Sequence, residues 1–254
     1  MKLRRLLAIL IALCVVYVFR SRSAREPSEE SDRPAATEKY TAAVQEGLGA
    51  SVAILLDNSG SMKESTEGDG GSKAAVAREV LERVLAQTDS FVVKQPGFPI
   101  NVGLYVFNKR VVRALPIGPY DRDSLRGALA ALKSPNGGTA IGDAMEVAVT
   151  DLYSAGTIRK YILVVTDGEN TEGADPAKVA REIDQRSEGA VRLLLVAFDA
   201  DGDKFRFVSD VRGTLVEARN ATALRAGLDT LYRGRILAEA VDAGETLRDT
   251  VLRK

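Results

Sequence analysis

The amino-acid sequence predicts an α/β protein with a doubly wound, mostly parallel β-sheet, one antiparallel edge strand and helices on both faces. Short apolar segments alternate with amphipathic helical patterns along the chain, which favours a parallel sheet covered by helices. Two of these segments, 162–165 and 193–196, are apolar at every position, as expected for central strands buried on both faces. The tight turn Asn108-Lys109-Arg110 joins two further apolar segments, which favours an antiparallel edge strand after the turn.

Six strands are predicted in chain order, each rich in β-branched or other large apolar residues. They span residues 51–56, 101–107, 111–115, 161–166, 192–197 and 214–218. The segment 111–115 follows the tight turn and is therefore the predicted edge strand.

Helices are predicted between these strands, where apolar residues recur at helical spacing. They span residues 74–87, 122–132, 141–154, 177–185 and 221–231. Capping residues mark three of their starts: Asp121, Asp175 followed by Pro176, and Asn220. A short helix at 41–48 is expected before the first strand, and a final amphipathic helix is expected at 236–252.

The composition excludes several classes of function. The chain has 254 residues, which is enough for one sizeable domain with accessory segments. Its 35 basic and 35 acidic residues balance, so nothing in the charge indicates nucleic-acid binding. The chain contains no histidine, which excludes Ser-His-Asp and Cys-His catalytic groups and histidine-containing zinc sites. Its one cysteine, Cys14, cannot form an intrachain disulfide.

The N-terminal segment has the pattern of a membrane anchor. Basic residues precede an uninterrupted apolar run at 6–19, as in secretory signals and signal anchors. The run is short for a spanning helix, but Arg5 and Arg20 can extend it by reaching towards the interfaces. Because no Ala-x-Ala cleavage signal follows, we predict an uncleaved signal anchor at 1–20, with a cleaved signal peptide as the alternative.

The rest of the chain divides into three predicted regions. Residues 21–48 form a flexible tether, since they begin with a Ser-, Arg-, Glu- and Pro-rich stretch that lacks apolar periodicity. A folded domain at 49–235 and a C-terminal helix at 236–254 follow. Positive charge flanks the apolar run on both sides, so the charge rule leaves the orientation open. Since short signal anchors usually leave the long carboxyl part outside the cytoplasm, we expect a single-pass membrane protein with a periplasmic or extracellular domain.

The strongest functional signal is the segment Asp57-Asn58-Ser59-Gly60-Ser61, which follows an apolar run. A carboxylate and two hydroxyls at alternate positions beyond a strand can converge on one cation, and such ligands suit Mg²⁺, Mn²⁺ or Ca²⁺. Two later residues add oxygen donors: Thr139 opens a predicted helix after two glycines, and Asp167 ends another predicted strand. Asp57 and Asp167 thus both fall at the carboxyl ends of strands, where doubly wound sheets bind ligands.

This set of residues resembles the metal-ion-dependent adhesion site of the von Willebrand factor A domain family. Asp57, Ser59 and Ser61 match the family's Asp-x-Ser-x-Ser pattern, and Thr139 and Asp167 match its separate Thr and Asp. The resemblance implies a Rossmann-like fold and a cation, Mg²⁺ or alternatively Mn²⁺ or Ca²⁺, held by these five residues. It implies that the three hydroxyls bond the metal directly, that the carboxylates act partly through water, and that one position stays open. The alternative is that these are ordinary turn and cap residues.

We therefore expect a membrane-tethered binding module, not an enzyme, that uses the cation to recognise an Asp or Glu of a protein partner. One alternative is a metal-dependent hydrolase or phosphoryl-transfer enzyme with Asp57 as nucleophile. Enzymes that form an aspartyl phosphate tend to carry a second Asp two residues later, where this chain has Ser59, and no free general base is apparent. The other alternative is a structural domain with a vestigial metal site.

Other charged residues near these motifs are expected to be peripheral. An acidic, glycine-rich loop follows the first motif and is expected to be solvated: Glu64, Glu67 and Asp69. A second acidic loop suggests calcium binding but lacks the Gly and Glu positions of an EF-hand, so a turn with a helix cap is expected: Asp199, Asp201 and Asp203. Lys73, just inside the first long helix, is expected to be a solvated side chain.

Overall fold

The structure, a computed structural model, describes residues 38–66 and 71–239. Three predicted features lie outside these ranges: the signal anchor at 1–20, the first part of the tether, and the C-terminal helix beyond residue 239. Glu67 and Asp69 of the first acidic loop also lie outside them. Within the described ranges, no helix combines the length and the apolar character that a membrane span requires.

The described residues form one six-stranded sheet. Its strands are β1 Gly47–Asp57, β2 Ile100–Phe107, β3 Val111–Pro119, β4 Thr157–Thr166, β5 Val191–Phe198 and β6 Thr214–Ala218. They lie in the order β3-β2-β1-β4-β5-β6, and every neighbouring pair is parallel except β2 and β3. This arrangement confirms the predicted fold class, including the antiparallel edge strand that follows the tight turn.

Helices cover both faces of the sheet. Those in the described ranges are α1 Lys73–Leu85, α2 Gln87–Lys94, α3 Arg122–Ala130, α4 Ile141–Leu152, α5 Pro176–Arg186, α6 Phe207–Asp210 and α7 Ala221–Leu231. Successive residues of a strand point to opposite faces. Val52 and Ile54 of β1 therefore join one core with α1 and α7, whereas Ala53 and Leu55 join a second core with α4 and α5. Burial on both faces explains why the central strands are apolar at nearly every position.

The predicted helix caps are present. The Asp121 carboxylate accepts a hydrogen bond from the backbone of Ser124 at the start of α3, at 2.7 Å. The Asn220 side chain accepts one from the backbone of Ala223 at the start of α7. These caps satisfy backbone N–H groups that the first turn of a helix leaves unpaired, which is why the starts of these helices could be predicted.

The residues before β1 differ from the prediction. In place of a short helix at 41–48 and a tether that reaches residue 48, the segment 38–46 lies against the domain without helical structure. The Tyr40 ring stacks on Tyr153, with ring centroids 5.0 Å apart, and the Arg186 guanidinium lies 3.9 Å from the Tyr40 ring centre. The Tyr40 N–H also donates to the Arg186 carbonyl at 3.1 Å. Contacts with distant residues thus replace the local bonds that a helix would need.

Two helical boundaries also differ. The predicted helix 74–87 corresponds to α1, which ends at Leu85, and the further helix α2 begins at Gln87. The predicted C-terminal helix does not begin separately at residue 236, because the π-helical turn Tyr232–Leu237 continues directly from α7. The buried Tyr232 hydroxyl shares a 2.7 Å hydrogen bond with Thr88 of α2, so this turn and α2 are positioned together.

Gly142, in the first turn of α4, packs against the loop that follows β4. A Cβ atom added there would lie 2.1 Å from the carbonyl oxygen of Ala174, far inside van der Waals contact. We expect Gly142→Ala to lower the free energy of unfolding by about 1–3 kcal/mol, the usual cost of overpacking. Urea-induced unfolding of the full chain measures this change.

Gly127→Ala is the matched control. Gly127 lies on the exposed side of α3, and an added Cβ meets no atom within 4 Å. Because Ala forms helices better than Gly, we expect this variant to raise the free energy of unfolding by up to about 1 kcal/mol. Equal effects of the two substitutions would contradict the close packing at Gly142.

Candidate metal centre

Asp57 ends the central strand and is held in one orientation by two hydrogen bonds. Its Oδ1 accepts from the backbone N–H of Ser59 at 2.7 Å, and its Oδ2 accepts from the Thr166 hydroxyl at 2.6 Å. Burial raises the pKa of Asp57 to about 6, although these hydrogen bonds act in the opposite direction. A cation beside the carboxylate would favour its charged form.

Two serine hydroxyls connect this loop to the end of β4. Ser59 Oγ and Ser61 Oγ share a hydrogen bond of 3.0 Å, and Ser61 Oγ donates to Asp167 Oδ1 at 2.7 Å. The connection is possible because β1 and β4 are parallel neighbours, so their carboxyl ends lie side by side. Four of the five residues predicted from the sequence therefore lie close together at this edge of the sheet.

Thr139, the fifth predicted residue, lies on a loop between the Asp57 loop and the Asp167 loop. On one side, Gly60 of the Asp57 loop donates its N–H to the carbonyl of Gly137 at 2.9 Å. On the other side, the Thr139 N–H donates to the Thr171 hydroxyl at 2.9 Å. Thr139 is buried, but its hydroxyl is not part of the hydrogen-bonded set that joins Asp57 to Asp167. The hydrogen bonds that hold Thr139 beside the other candidate ligands therefore come from the backbone of its loop.

Asn170 has a structural role that the sequence did not reveal. Its Oδ1 accepts from the backbone N–H of Ile141 at 2.7 Å, and its Nδ2 donates to the carbonyl of Ala174 at 3.1 Å. The cap position of α4 itself, Ala140, has no side chain that can accept. Asn170 therefore caps α4 from a different loop and fixes the Thr139 loop to the Asp167 loop. A partner 29 residues away leaves no local pattern in the sequence.

The prediction that Lys73 is solvated was wrong. The residue is only 5% exposed, and its ammonium lies 3.1 Å from Asp167 Oδ2, 3.0 Å from Asp199 Oδ2 and 3.4 Å from Glu64 Oε2. Burial lowers the pKa of Lys73, but hydrogen bonds and charges of Asp199 and Asp167 outweigh that effect and raise it. Lys73 lies at the start of α1, directly opposite the end of β4, and tertiary packing rather than helix periodicity determines where its side chain points.

The second acidic loop is a capped turn, as the sequence predicted. The Asp201 side chain accepts from the backbone N–H of Asp203 at 3.0 Å and caps the 3₁₀ turn Gly202–Phe205. Asp199 has a positive φ of 51° and pairs with Lys73. In the described ranges, no three or more Asp, Glu or Cys side chains are grouped as a metal site. Any cation at the Asp57 edge would therefore depend on hydroxyls as much as on carboxylates.

The donor set of the candidate centre fits a hard divalent cation. It consists of two carboxylates and three hydroxyls: Asp57, Asp167, Ser59, Ser61 and Thr139. These oxygen donors suit Mg²⁺, Mn²⁺ or Ca²⁺. The short contacts between Asp57, the serines and Asp167 also leave little rearrangement before these oxygens could face one ion.

Solved structures of other proteins share this fold. A conserved hypothetical protein BatB from Bacteroides thetaiotaomicron is 21% identical with a TM-score of 0.58, covering 75% of this chain and 100% of that chain. An aerotolerance-related membrane protein from Bacteroides fragilis is 21% identical with a TM-score of 0.55, covering 70% and 96%. Proximal thread matrix protein 1 from the mussel byssus, with a zinc-occupied MIDAS motif, is 14% identical with a TM-score of 0.57, covering 78% and 47%.

At these identities the structural likeness establishes the fold alone, and no curated protein matches the chain significantly. The family assignment comes from the sequence. The family model described as von Willebrand factor type A domain matches residues 51–213, which is more than half of the 254 residues. This range includes all five residues of the candidate centre and runs from β1 to the residue before β6. The protein therefore belongs to the von Willebrand factor type A (VWA) domain family.

Proposed function

We propose that this protein is a membrane-tethered VWA domain that binds Mg²⁺ or Mn²⁺ and uses the ion to recognise an Asp or Glu of a protein partner. The proposed ligands are Asp57, Ser59, Ser61, Thr139 and Asp167. The observation that carries the proposal is the hydrogen-bonded set from Asp57 through the two serines to Asp167. It holds two carboxylates and two hydroxyls together at the carboxyl ends of adjacent parallel strands, where doubly wound sheets bind ligands.

The chain's own residues prepare this site in distinct ways. Thr166 and the Ser59 backbone orient the Asp57 carboxylate, and Ser61 orients Asp167. Because three of the five donors are neutral hydroxyls, only Asp57 and Asp167 bring negative charge to the ion, which is less than in a site built mainly from carboxylates. When bound, the ion supplies an electrophilic position to which a carboxylate of a partner can coordinate. The mussel protein with a zinc-occupied MIDAS motif agrees with metal binding in this fold.

Binding is a better proposal than catalysis. VWA domains are typically interaction modules without enzymatic activity. The buried Lys73 is a feature that a phosphoryl-transfer site could share, but its ammonium is paired with Asp167 and Asp199. Asp57 and Asp167 also accept hydrogen bonds within the centre, so neither is a free general base.

The membrane part of the proposal rests on the sequence. The apolar run at 6–19 is flanked by basic residues and is not followed by a clear cleavage signal. One structural neighbour is named as a membrane protein, which agrees with this proposal. We propose a single-pass protein whose VWA domain lies on the periplasmic or extracellular side.

Metal binding is expected to stabilise the folded chain. Because the ion binds the native state, it should add about 2.7 kcal/mol to the free energy of unfolding when free metal is 100 times its dissociation constant. Thermal unfolding across a Mg²⁺ and a Mn²⁺ titration measures this gain, which should vanish in Asp57→Ala and in Asp167→Ala. Asp121→Ala is the control. It removes the cap of α3, which is not part of the proposed ligand set, and should therefore keep the metal-induced gain in stability. An identical metal-induced change in melting temperature in all four proteins would rule out the site.

Thr139→Ala is expected to weaken partner binding more than metal binding. The remaining four ligands can still hold the ion. The variant lacks, however, a hydroxyl that would face the ion when the carboxylate of a partner is bound. Partner affinity should fall roughly a hundredfold, which corresponds to a few kcal/mol. The measurement uses a partner captured by crosslinking in native membranes, with and without chelator, and Thr139→Ser should retain binding. A captured partner that binds equally in chelator and is unaffected by Thr139→Ala would place recognition on another surface.

The N-terminal segment is expected to hold the protein in the membrane. The full chain should stay in the membrane fraction after a carbonate wash, because we expect the apolar run to insert into lipid. Deletion of residues 1–19 should release a soluble, folded domain, which far-ultraviolet circular dichroism can verify. Recovery of a mature protein that begins near Ala24 would instead demonstrate a cleaved signal peptide.

A further inference from the structure

Lys73 is a buried ammonium placed directly beside the candidate metal centre. Ser72 caps α1 by accepting from Ala75, and the Lys73 backbone N–H donates to the Glu64 carbonyl at 2.8 Å. These contacts fix the start of the helix, and the Lys73 side chain, only 6% exposed, then contacts Asp167 Oδ2 at 3.1 Å and Asp199 Oδ2 at 3.0 Å. The fold therefore fixes the position of the ammonium, in contrast to a lysine whose side chain moves freely at the surface.

The pair of Lys73 and Asp167 is the buried part of this cluster. The Asp167 side chain is fully buried, whereas those of Asp199 and Glu64 are 39% and 69% exposed. Exposed partners are screened by solvent, so Asp167 is the strongest partner of the ammonium. Because a buried ammonium without a partner is unfavourable, the fold keeps Lys73 in contact with Asp167 when no other cation is present.

Asp167 therefore has two partners at once. Its Oδ1 accepts from Ser61 inside the proposed ligand set, and its Oδ2 accepts from Lys73 outside that set. The ammonium offsets one of the two carboxylate charges that Asp57 and Asp167 bring to this edge of the sheet. A divalent ion bound to Asp167 would lie near the Lys73 ammonium, which contacts the same carboxylate. The two positive charges would repel each other.

We propose that Lys73 is an internal counter-cation of the metal centre. It holds Asp167 in position when the ion is absent and opposes the ion when it is present, so the centre is preformed and binds metal more weakly than its five ligands alone would. Asp199 moderates this effect because it neutralises part of the ammonium charge, which links the loop after β5 to the affinity of the centre. This inference rests on the proposed function, since it requires metal at the Asp57 site.

Opposite shifts in metal affinity test the proposal. The full chain in detergent is titrated with Mn²⁺, and free Mn²⁺ is followed by electron paramagnetic resonance. Lys73→Met removes the charge but keeps an unbranched apolar chain, and it should bind Mn²⁺ about tenfold more tightly because the repulsion is gone. Its metal-free form should melt at a lower temperature than the wild type, while its metal-induced gain in melting temperature should be larger. Lys73→Arg keeps the charge and should bind like the wild type.

Asp199→Asn is the second variant in the Mn²⁺ titration. Asn tolerates the positive φ of this position, so the loop should keep its conformation. Removal of the Asp199 charge leaves the ammonium less neutralised, and Mn²⁺ binding should weaken several-fold. A general loss of structure would weaken Mn²⁺ binding in both Lys73→Met and Asp199→Asn. The proposal requires instead that Mn²⁺ affinity rises in the first variant and falls in the second.

The outcomes separate the two proposals. If the wild-type chain does not bind Mn²⁺, the proposed function itself fails, and the role of Lys73 fails with it. If the wild type binds and Lys73→Met binds equally or more weakly, the counter-cation role alone is overturned. Should Lys73→Met fail to fold, Asp199→Asn still decides, because unchanged or tighter Mn²⁺ binding in that variant also overturns the proposal.

Discussion

The parallel pairing of β1 with β4 is the constraint on which the candidate centre depends. Leu56 pairs with Val165, so the two strands end at the same edge of the sheet and the Thr166 hydroxyl can donate across the pair to Asp57. A slip of one residue in either strand would turn its side chains to the opposite face. The apolar core on both faces prevents such a slip, and the packing that stabilises the sheet therefore also fixes the site.

Residues outside the proposed ligand set hold the ligands in place. Thr166 fixes the carboxylate of Asp57, Asn170 joins the two later loops through backbone contacts at the start of α4, and Lys73 fixes Asp167. Thr166 and Lys73 contact candidate ligands directly, whereas Asn170 acts through the backbone of the neighbouring loops. Such supporting contacts keep a binding site ordered before its ligand arrives, so the candidate centre is already assembled in the fold.

The fold was predictable from the sequence wherever the signal was local. The strand at 214–218 and the helix at 221–231 have the predicted bounds, because apolar periodicity and the Asn220 cap lie within the segments themselves. The candidate ligands could also be selected from the sequence, since Asp57 and Asp167 follow strands and Thr139 precedes a helix. The burial of Lys73, the cap supplied by Asn170 and the packing of residues 38–46 were not predictable, because each depends on contacts between residues far apart in the chain.

The contacts of the segment 38–46 have a mechanical consequence. A pulling force that enters the domain through this segment meets Tyr40 between Tyr153 and Arg186, and then passes along β1 towards Asp57. Because β1 is hydrogen-bonded to a parallel strand on each side, such a load acts along the strand and is shared by many hydrogen bonds in shear instead of opening them one at a time. The strand that ends at the candidate ligands is thus also arranged to resist tension between the segment 38–46 and this edge of the sheet.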